Sequence, residues 1–204
     1  MSWNLGGDYI GPMKGKIGII GKGHVGGALN DGLKTAGFQT RMTGKGPNVR
    51  ETAAWGDILI LAVPFSAVDA AIAEMGGAVD GKTIIDVTNA IGPKKELAPG
   101  FTTSGAEQLQ KKAPSAKIVK AFNTVFAQNM STGKAKGKAI SCFVAGNDAD
   151  AKTQVLELVR DIGFDAIDAG PLVSARWLEA MGYLHIQLGY ALGMGPETES
   201  ALIH

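Results

Sequence analysis

The chain has 204 residues, 45% of them hydrophobic and 19% charged, and a formal net charge of +1. That length supports one domain with a sizeable core and leaves no room for a nucleotide domain plus a large separate substrate domain. The near-neutral balance, with basic residues spread along the chain, excludes the footprint of a nucleic-acid or anionic-membrane binder, and the short apolar runs exclude a transmembrane helix.

Met1 to Pro12 is Gly-rich and lacks both a cationic leader and a long apolar stretch, so it reads as a loose extension and not a signal peptide. Met13 stands where a second start would fall. The expected layout is a flexible extension over 1–15 and one nucleotide-binding domain with a C-terminal helical segment over 16–204.

Beyond the extension, strand patterns at 16–21, 38–43, 58–63, 83–86, 117–121, 140–145 and 164–168 alternate with helical patterns. The helices are expected at 25–36, 49–55, 66–75, 106–112, 125–130, 149–162 and 172–192, with Asp148 as an N-cap. This alternation predicts an α/β fold, a Rossmann-like, doubly wound and mainly parallel sheet with a C-terminal helix. The basic, small-residue stretch 131–138 shows no periodicity and is expected to be the most mobile segment.

The first strand runs into Gly21-Lys22-Gly23-His24-Val25-Gly26, a glycine fingerprint in the strand–turn–helix context that dinucleotide binding requires. The first glycine permits the tight turn, the second admits a pyrophosphate, and the third brings the helix close to the sheet. Lys22 and His24 either add contacts to phosphate, or for His24 to a second substrate, or are ordinary exposed loop groups.

The second strand ends in Met42-Thr43-Gly44-Lys45, with no carboxylate between Asp31 and Glu51 to hold a ribose 2′-hydroxyl. Thr43, Gly44 and Lys45 suit a 2′-phosphate, which favours NADP over NAD; the alternative is a plain polar turn.

Later strands end in Ala62-Val63-Pro64, Asp86-Val87-Thr88-Asn89 and Ala121-Phe122-Asn123-Thr124, where an open α/β sheet carries its ligands. Pro64 fixes a turn beside a flat ring, and Asn89 and Asn123 offer amides to a nicotinamide or its ribose, or else bond their own loops.

These motifs, in this order and spacing, resemble the coenzyme F420-dependent NADP oxidoreductase family over nearly the whole chain; the reductase domain of membrane ferric reductases is similar. The resemblance implies NADP(H) on Gly21–Gly26, with the nicotinamide beside Ala62, Val63, Pro64, Asn89, Ala121, Phe122 and Asn123. It also implies a flavin or deazaflavin ring (coenzyme F420, FMN or FAD) stacked for hydride transfer. Gly44-Lys45 departs from the Ser-Arg common in that family, since lysine offers no bidentate fork.

No Ser-His-Asp spacing, metal-ligand cluster or paired carboxylates appear, so no catalytic or metal residue is assigned, and the chemistry is expected to belong to the cofactors. The expected activity is an NADP-dependent oxidoreductase. The alternatives are ferric reduction through a flavin and a non-enzymatic NADP(H) sensor. The lone Cys142 reads as a buried strand thiol, fitting a reducing cytoplasm.

The last helix is apolar around most of its circumference, so broad burial is expected, including Trp177, Met181, Leu184 and Leu188. Arg176, Glu179, Tyr183, Gln187 and Tyr190 share one stripe that could line a cleft, form a homodimer interface or pack within the chain. His185 reads as a structural histidine.

Overall fold

The computed structural model describes residues 14–203; the extension up to Met13 lies outside them. The strands are β1 (Lys14–Ile20), β2 (Phe38–Thr43), β3 (Ile58–Leu61), β4 (Thr83–Asp86), β5 (Lys117–Lys120), β6 (Lys134–Ala135), β7 (Lys138–Ala139), β8 (Ser141–Gly146) and β9 (Asp165–Asp168). The helices are α1 (His24–Thr35), α2 (Asn48–Trp55), α3 (Val68–Met75), α4 (Gly105–Lys112), α5 (Ala149–Ile162) and α6 (Ala175–Ile186).

Seven strands form one sheet in the order β2-β1-β3-β4-β5-β8-β9, and every neighbouring pair is parallel except β5–β8. This is the expected doubly wound, mainly parallel sheet. Burial on both faces explains the nearly unbroken apolar strands. Ile17, Ile19 and Ile60 face a core shared with α1 and α5, whereas Ile20, Leu59 and Leu61 face one shared with α2, α3 and α4. Because β1 lies between β2 and β3, the chain reverses its direction of winding there, which opens a crevice at the carboxyl ends of β1 and β3.

Local chemistry explains the helix ends. Asp148 accepts from the Ala151 N–H at 2.8 Å, the N-cap read from the sequence, and Gly163 closes α5 in the left-handed region at φ 115°. Ser104 caps α4 through the Glu107 N–H at 3.1 Å. Cys142 is buried, and burial pushes its thiol up to about 12, so it is inert near neutrality.

The stretch 131–138, which reads as unpatterned in the sequence, carries a hairpin: β6 and β7 pair antiparallel across Lys136-Gly137, whose φ values of 49° and 78° make a tight turn. Its lysine-rich strands lack the apolar alternation that announces a hairpin. The C-terminal helix, against expectation, is not one piece or broadly buried. A 3₁₀ turn (Leu172–Ser174) precedes α6, and a π turn (Gln187–Ala191) follows it. Within that turn Gly189 admits the Phe126 ring, which would lie 2.6 Å from a Cβ there. Trp177 and Leu184 are 64% and 54% exposed.

Candidate functional site

The glycine loop meets the requirements read from its sequence. Gly21 has φ 129°, and a Cβ there would sit 2.0 Å from the Ala62 carbonyl oxygen. A Cβ at Gly26 would lie 2.2 Å from the Gly21 oxygen, so α1 can begin this close to the sheet only without one. Gly23 is different: a Cβ there would meet nothing within 4 Å. Gly23 is also the N-cap of α1, which has no side-chain cap and no acid in its first turn. An open cradle thus faces uncapped helix N–H groups, an arrangement suited to phosphate.

At the end of β2, Thr43 is buried and its hydroxyl donates to the Gly44 carbonyl at 3.2 Å. Its main-chain oxygen accepts from the Gly21 N–H at 2.8 Å, tying the two loops together. Lys45 is exposed, and the Lys22 side chain runs past Gly44, 3.9 Å from where a Cβ would be. Lys22 therefore belongs with Thr43, Gly44 and Lys45 at the second-strand loop. Arg41 does not join them; it is paired with Glu51 at 2.9 Å and lies over the Trp55 ring.

Two cavities adjoin at the strand ends. One, about 280 Å³, is lined by the Gly23–Val25 turn, by Ala62, Val63 and Pro64, and by Val87, Thr88 and Asn89. The other, about 210 Å³, extends from Asn123 past Phe126 to Gly182, Ile186 and Tyr190 on the last helix. His24, Val25 and Asn89 border both. A larger cavity of about 660 Å³, between the β6–β7 hairpin and residues 194–201, shares no lining residue with either.

Asn123 is 3% exposed, and its Nδ2 donates to Asn89 Oδ1 at 3.3 Å and to the Leu178 carbonyl at 2.8 Å. Its Oδ1 is buried without a partner. Leaving such an acceptor unmet costs about 1–3 kcal/mol. Ala121 and Phe122, expected to contribute to the binding surface, have no exposed area. Phe122 packs edge-on against Phe164 in the core, with centroids 5.5 Å apart. Its contribution is through the backbone: φ 63°, rare for a bulky residue, turns the chain from β5 towards Asn123.

The last helix closes the site from above, and here sequence reasoning missed the key residues. A Cβ at Gly182 would lie 2.6 Å from Asn89 Oδ1 and 2.7 and 2.8 Å from the Asn123 O and Nδ2. Gly182→Ala is therefore expected to lower stability by about 1–3 kcal/mol, despite the better helix propensity of alanine, and to disorder the paired amides. Denaturant titration reads the first effect and turnover the second. The polar stripe read as a possible interface is used largely within the chain. Arg176 pairs bidentately with Glu107, Tyr183 donates to the Lys95 carbonyl at 2.8 Å, and Glu179 is 2% exposed. The Arg176 guanidinium holds the Glu107 carboxyl below its usual range. His185 bridges the Thr124 carbonyl and the Ser200 hydroxyl, both at 2.7 Å, and also lines the second cavity.

Glu179 belongs to a buried charged cluster. Lys120, with no exposed side-chain area, directs its ammonium to Asp86 Oδ2 at 3.0 Å, Glu179 Oε1 at 3.2 Å and the Thr88 carbonyl at 2.6 Å. Glu179 also accepts the Gly105 and Ala106 N–H groups at the start of α4, and Asp86 Oδ1 accepts the Thr88 N–H. Burial pulls the Lys120 ammonium down, but the two carboxylates outweigh it and hold the group above its ordinary value. The cluster fastens the Thr88-Asn89 turn, the end of β5, and α4 and α6 to one another.

No family model matches the chain. It is 30% identical to the F420-dependent NADP reductase of Methanocaldococcus jannaschii over 165 residues, 76% of this chain and 71% of that one. The chain belongs to the F420-dependent NADP reductase family. The crystal structure of an Arthrobacter protein proposed to be an F420-dependent NADP reductase superposes with a TM-score of 0.86 at 28% identity, covering 94% of this chain and all of that one. The chain is also 27% identical to the metalloreductase STEAP3 of Rattus norvegicus over 179 residues, 81% of this chain. It spans about a third of the length of that metalloreductase. Membership in the reductase family accords with the expectations drawn from the glycine loop and the strand-end motifs. Among the described residues no cluster could hold a metal ion, and no helix is long and apolar enough to cross a membrane.

Proposed function

We propose that this F420-dependent NADP reductase family member is an NADP-dependent oxidoreductase that moves hydride between NADPH and a flavin or deazaflavin ring, coenzyme F420 being the foremost candidate. The observation that carries this reading is the pair of adjoining cavities at the sheet's winding reversal, which share His24, Val25 and Asn89 and meet the uncapped N-terminus of α1. Gly21, Gly23 and Gly26 admit the pyrophosphate to the N-terminus of α1, while Thr43, Gly44 and Lys45, with Lys22, receive the 2′-phosphate. Ala62, Val63, Pro64 and Asn89 border the nicotinamide. The second cavity takes the acceptor ring, with the edge-on Phe126–Tyr190 pair beside it.

The bound nicotinamide supplies the hydride, so the protein's work is to orient two rings and exclude water. No acid or base is required of it, and no catalytic side chain is assigned. Lys45→Ala is expected to weaken NADPH about fivefold to twentyfold and NADH less than twofold, the loss of one charge-assisted contact to a phosphate. Equal losses in fluorescence titrations would remove the 2′-phosphate assignment.

The reading extends to the rest of the molecule. The described chain is one NADP-binding domain in which β1 already begins at Lys14, two residues before the boundary expected from the sequence, and it works in a reducing cytoplasm. It pairs as a homodimer through the outer face of α6. Val173, Trp177 and Leu184 leave an apolar stripe in solvent there, 43%, 64% and 54% exposed at helical spacing. Trp177→Glu combined with Leu184→Lys should yield a monomer in sedimentation velocity if that face is the interface. An unchanged state would place the contact elsewhere.

A second reading, flavin-mediated reduction of ferric iron, is favoured by the likeness to STEAP3, which covers most of this chain. Anaerobic NADPH oxidation with coenzyme F420, FMN, FAD and a ferric chelate offered separately tests both. Turnover with F420 or a flavin alone supports the first reading, and turnover that needs flavin and ferric chelate together supports the second. Tight NADPH binding without turnover on any acceptor would instead make the protein a nucleotide sensor.

A further inference from the structure

The cluster of Asp86, Lys120 and Glu179 lies in the wall behind the first strand-end cavity, and hydride transfer as proposed uses none of it as an acid or base. Lys120 grips the carbonyl of Thr88, and Thr88 itself lines that cavity with Pro64 and Asn89. The cluster holds two carboxylates against one ammonium, all within a region no more than 2% exposed. We propose that its excess negative charge makes these residues redox-state selectors, which favour the oxidised nicotinamide over the reduced one and so bias bound NADPH towards giving up hydride. The inference rests on the placement of the nicotinamide proposed above.

When hydride leaves, two electrons and the hydrogen pass to the acceptor ring, and the nicotinamide is left with one positive charge. Carrying that charge into a cavity removes it from water, which disfavours the oxidised form unless a fixed negative charge stands nearby. The start of α4, whose N–H groups Glu179 accepts, contributes about half a positive charge, so about half a negative charge remains in the wall. At an effective dielectric of about 20, a remainder of that size in the cavity wall shifts the preference between the two forms by about fivefold. Lys22 on the glycine loop is exposed and stands with the second-strand loop, and His24, also exposed, borders the cavity opposite the cluster's wall. Asp86, Lys120 and Glu179 thus act through the local field and through the Thr88-Asn89 turn. They are positioning residues, not catalytic ones.

Separate dissociation constants for NADPH, from its fluorescence, and for NADP+, by competition, test the idea without turnover. In Glu179→Gln, which removes a whole charge and so twice that remainder in free energy, the NADP+ constant should rise about tenfold or more while that of NADPH moves less than twofold; tenfold corresponds to about 30 mV for the two-electron couple. Glu107→Gln, which removes a carboxylate from the neighbouring α4–α6 contact, should leave the ratio of the two constants unchanged. Equal weakening of both nucleotides in Glu179→Gln, or an unchanged ratio, would reduce the cluster to a structural tie. Should that variant fail to fold, the wild-type protein still decides. A selector binds NADP+ at least as tightly as NADPH, and a wild-type preference for NADPH of tenfold or more overturns the proposal. If the wild type binds neither nucleotide, the proposed function falls first and the selector with it, whereas binding with the wrong ratio leaves that function standing.

Discussion

Lys120→Met should lower the free energy of unfolding by about 3–5 kcal/mol, the cost of removing one partner from a buried ionic cluster. The ammonium uses its three donors on Asp86, Glu179 and the Thr88 carbonyl, and none of these groups can turn to water in its place. Methionine fills much of the lysine volume, so packing alone costs little, and the loss is electrostatic. Two carboxylates would face each other in a region of low dielectric, each with only backbone N–H donors left. For a domain of this size the change corresponds to a fall of about 6–20 °C in melting temperature. Adding Glu179→Gln to Lys120→Met should recover part of the loss, because one buried charge then remains where two repelled each other. Denaturant titrations of the two variants and the parent check this. A loss below 1 kcal/mol in Lys120→Met would mean that the cluster relaxes to water and does not fasten α6 to the strand ends.

That cluster also shows where the sequence stops speaking. The strand–helix alternation and the glycine loop are local features, each readable from a window of ten or so residues, and they fixed the winding of the sheet and the place of the crevice. Glu179 was visible only as a member of a helical stripe with Arg176 and Tyr183. Periodicity says which residues share a face, but in a helix apolar nearly all round it does not say which face is turned inward. Its partners at Gly105 and Ala106 lie more than seventy positions away. One signal was available: Asp86 and Lys120 each close a strand just after two apolar residues, and opposite charges at matching positions of neighbouring strands are a pair in waiting. Gly182 gave no such signal, because a glycine within a helix reads as a weakness until the neighbouring amides are seen against it. Phe122 misled in the opposite sense, an aromatic residue beside a site whose ring belongs to the core.

Gly23→Val separates the fold from the site most cleanly and should abolish dinucleotide binding while leaving stability within about 1 kcal/mol of the parent. A Cβ at this position touches nothing, and the backbone at φ −79°, ψ −172° is extended, a conformation that valine accepts. The new methyl groups then occupy the space over the first turn of α1, where the pyrophosphate would meet the uncapped N–H groups. NADPH and NADH share that part of the molecule, so both should weaken by at least a hundredfold, about 2.7 kcal/mol, in contrast to the selective loss expected for Lys45→Ala. Gly21→Val makes the opposite case. Its Cβ would fall 2.0 Å from the Ala62 oxygen at a φ that valine rarely adopts, so stability and binding should fail together. If Gly23→Val bound NADPH normally, the phosphate would not lie over this turn, and the assignments of the 2′-phosphate loop and both ring cavities, which are all measured from it, would have to move.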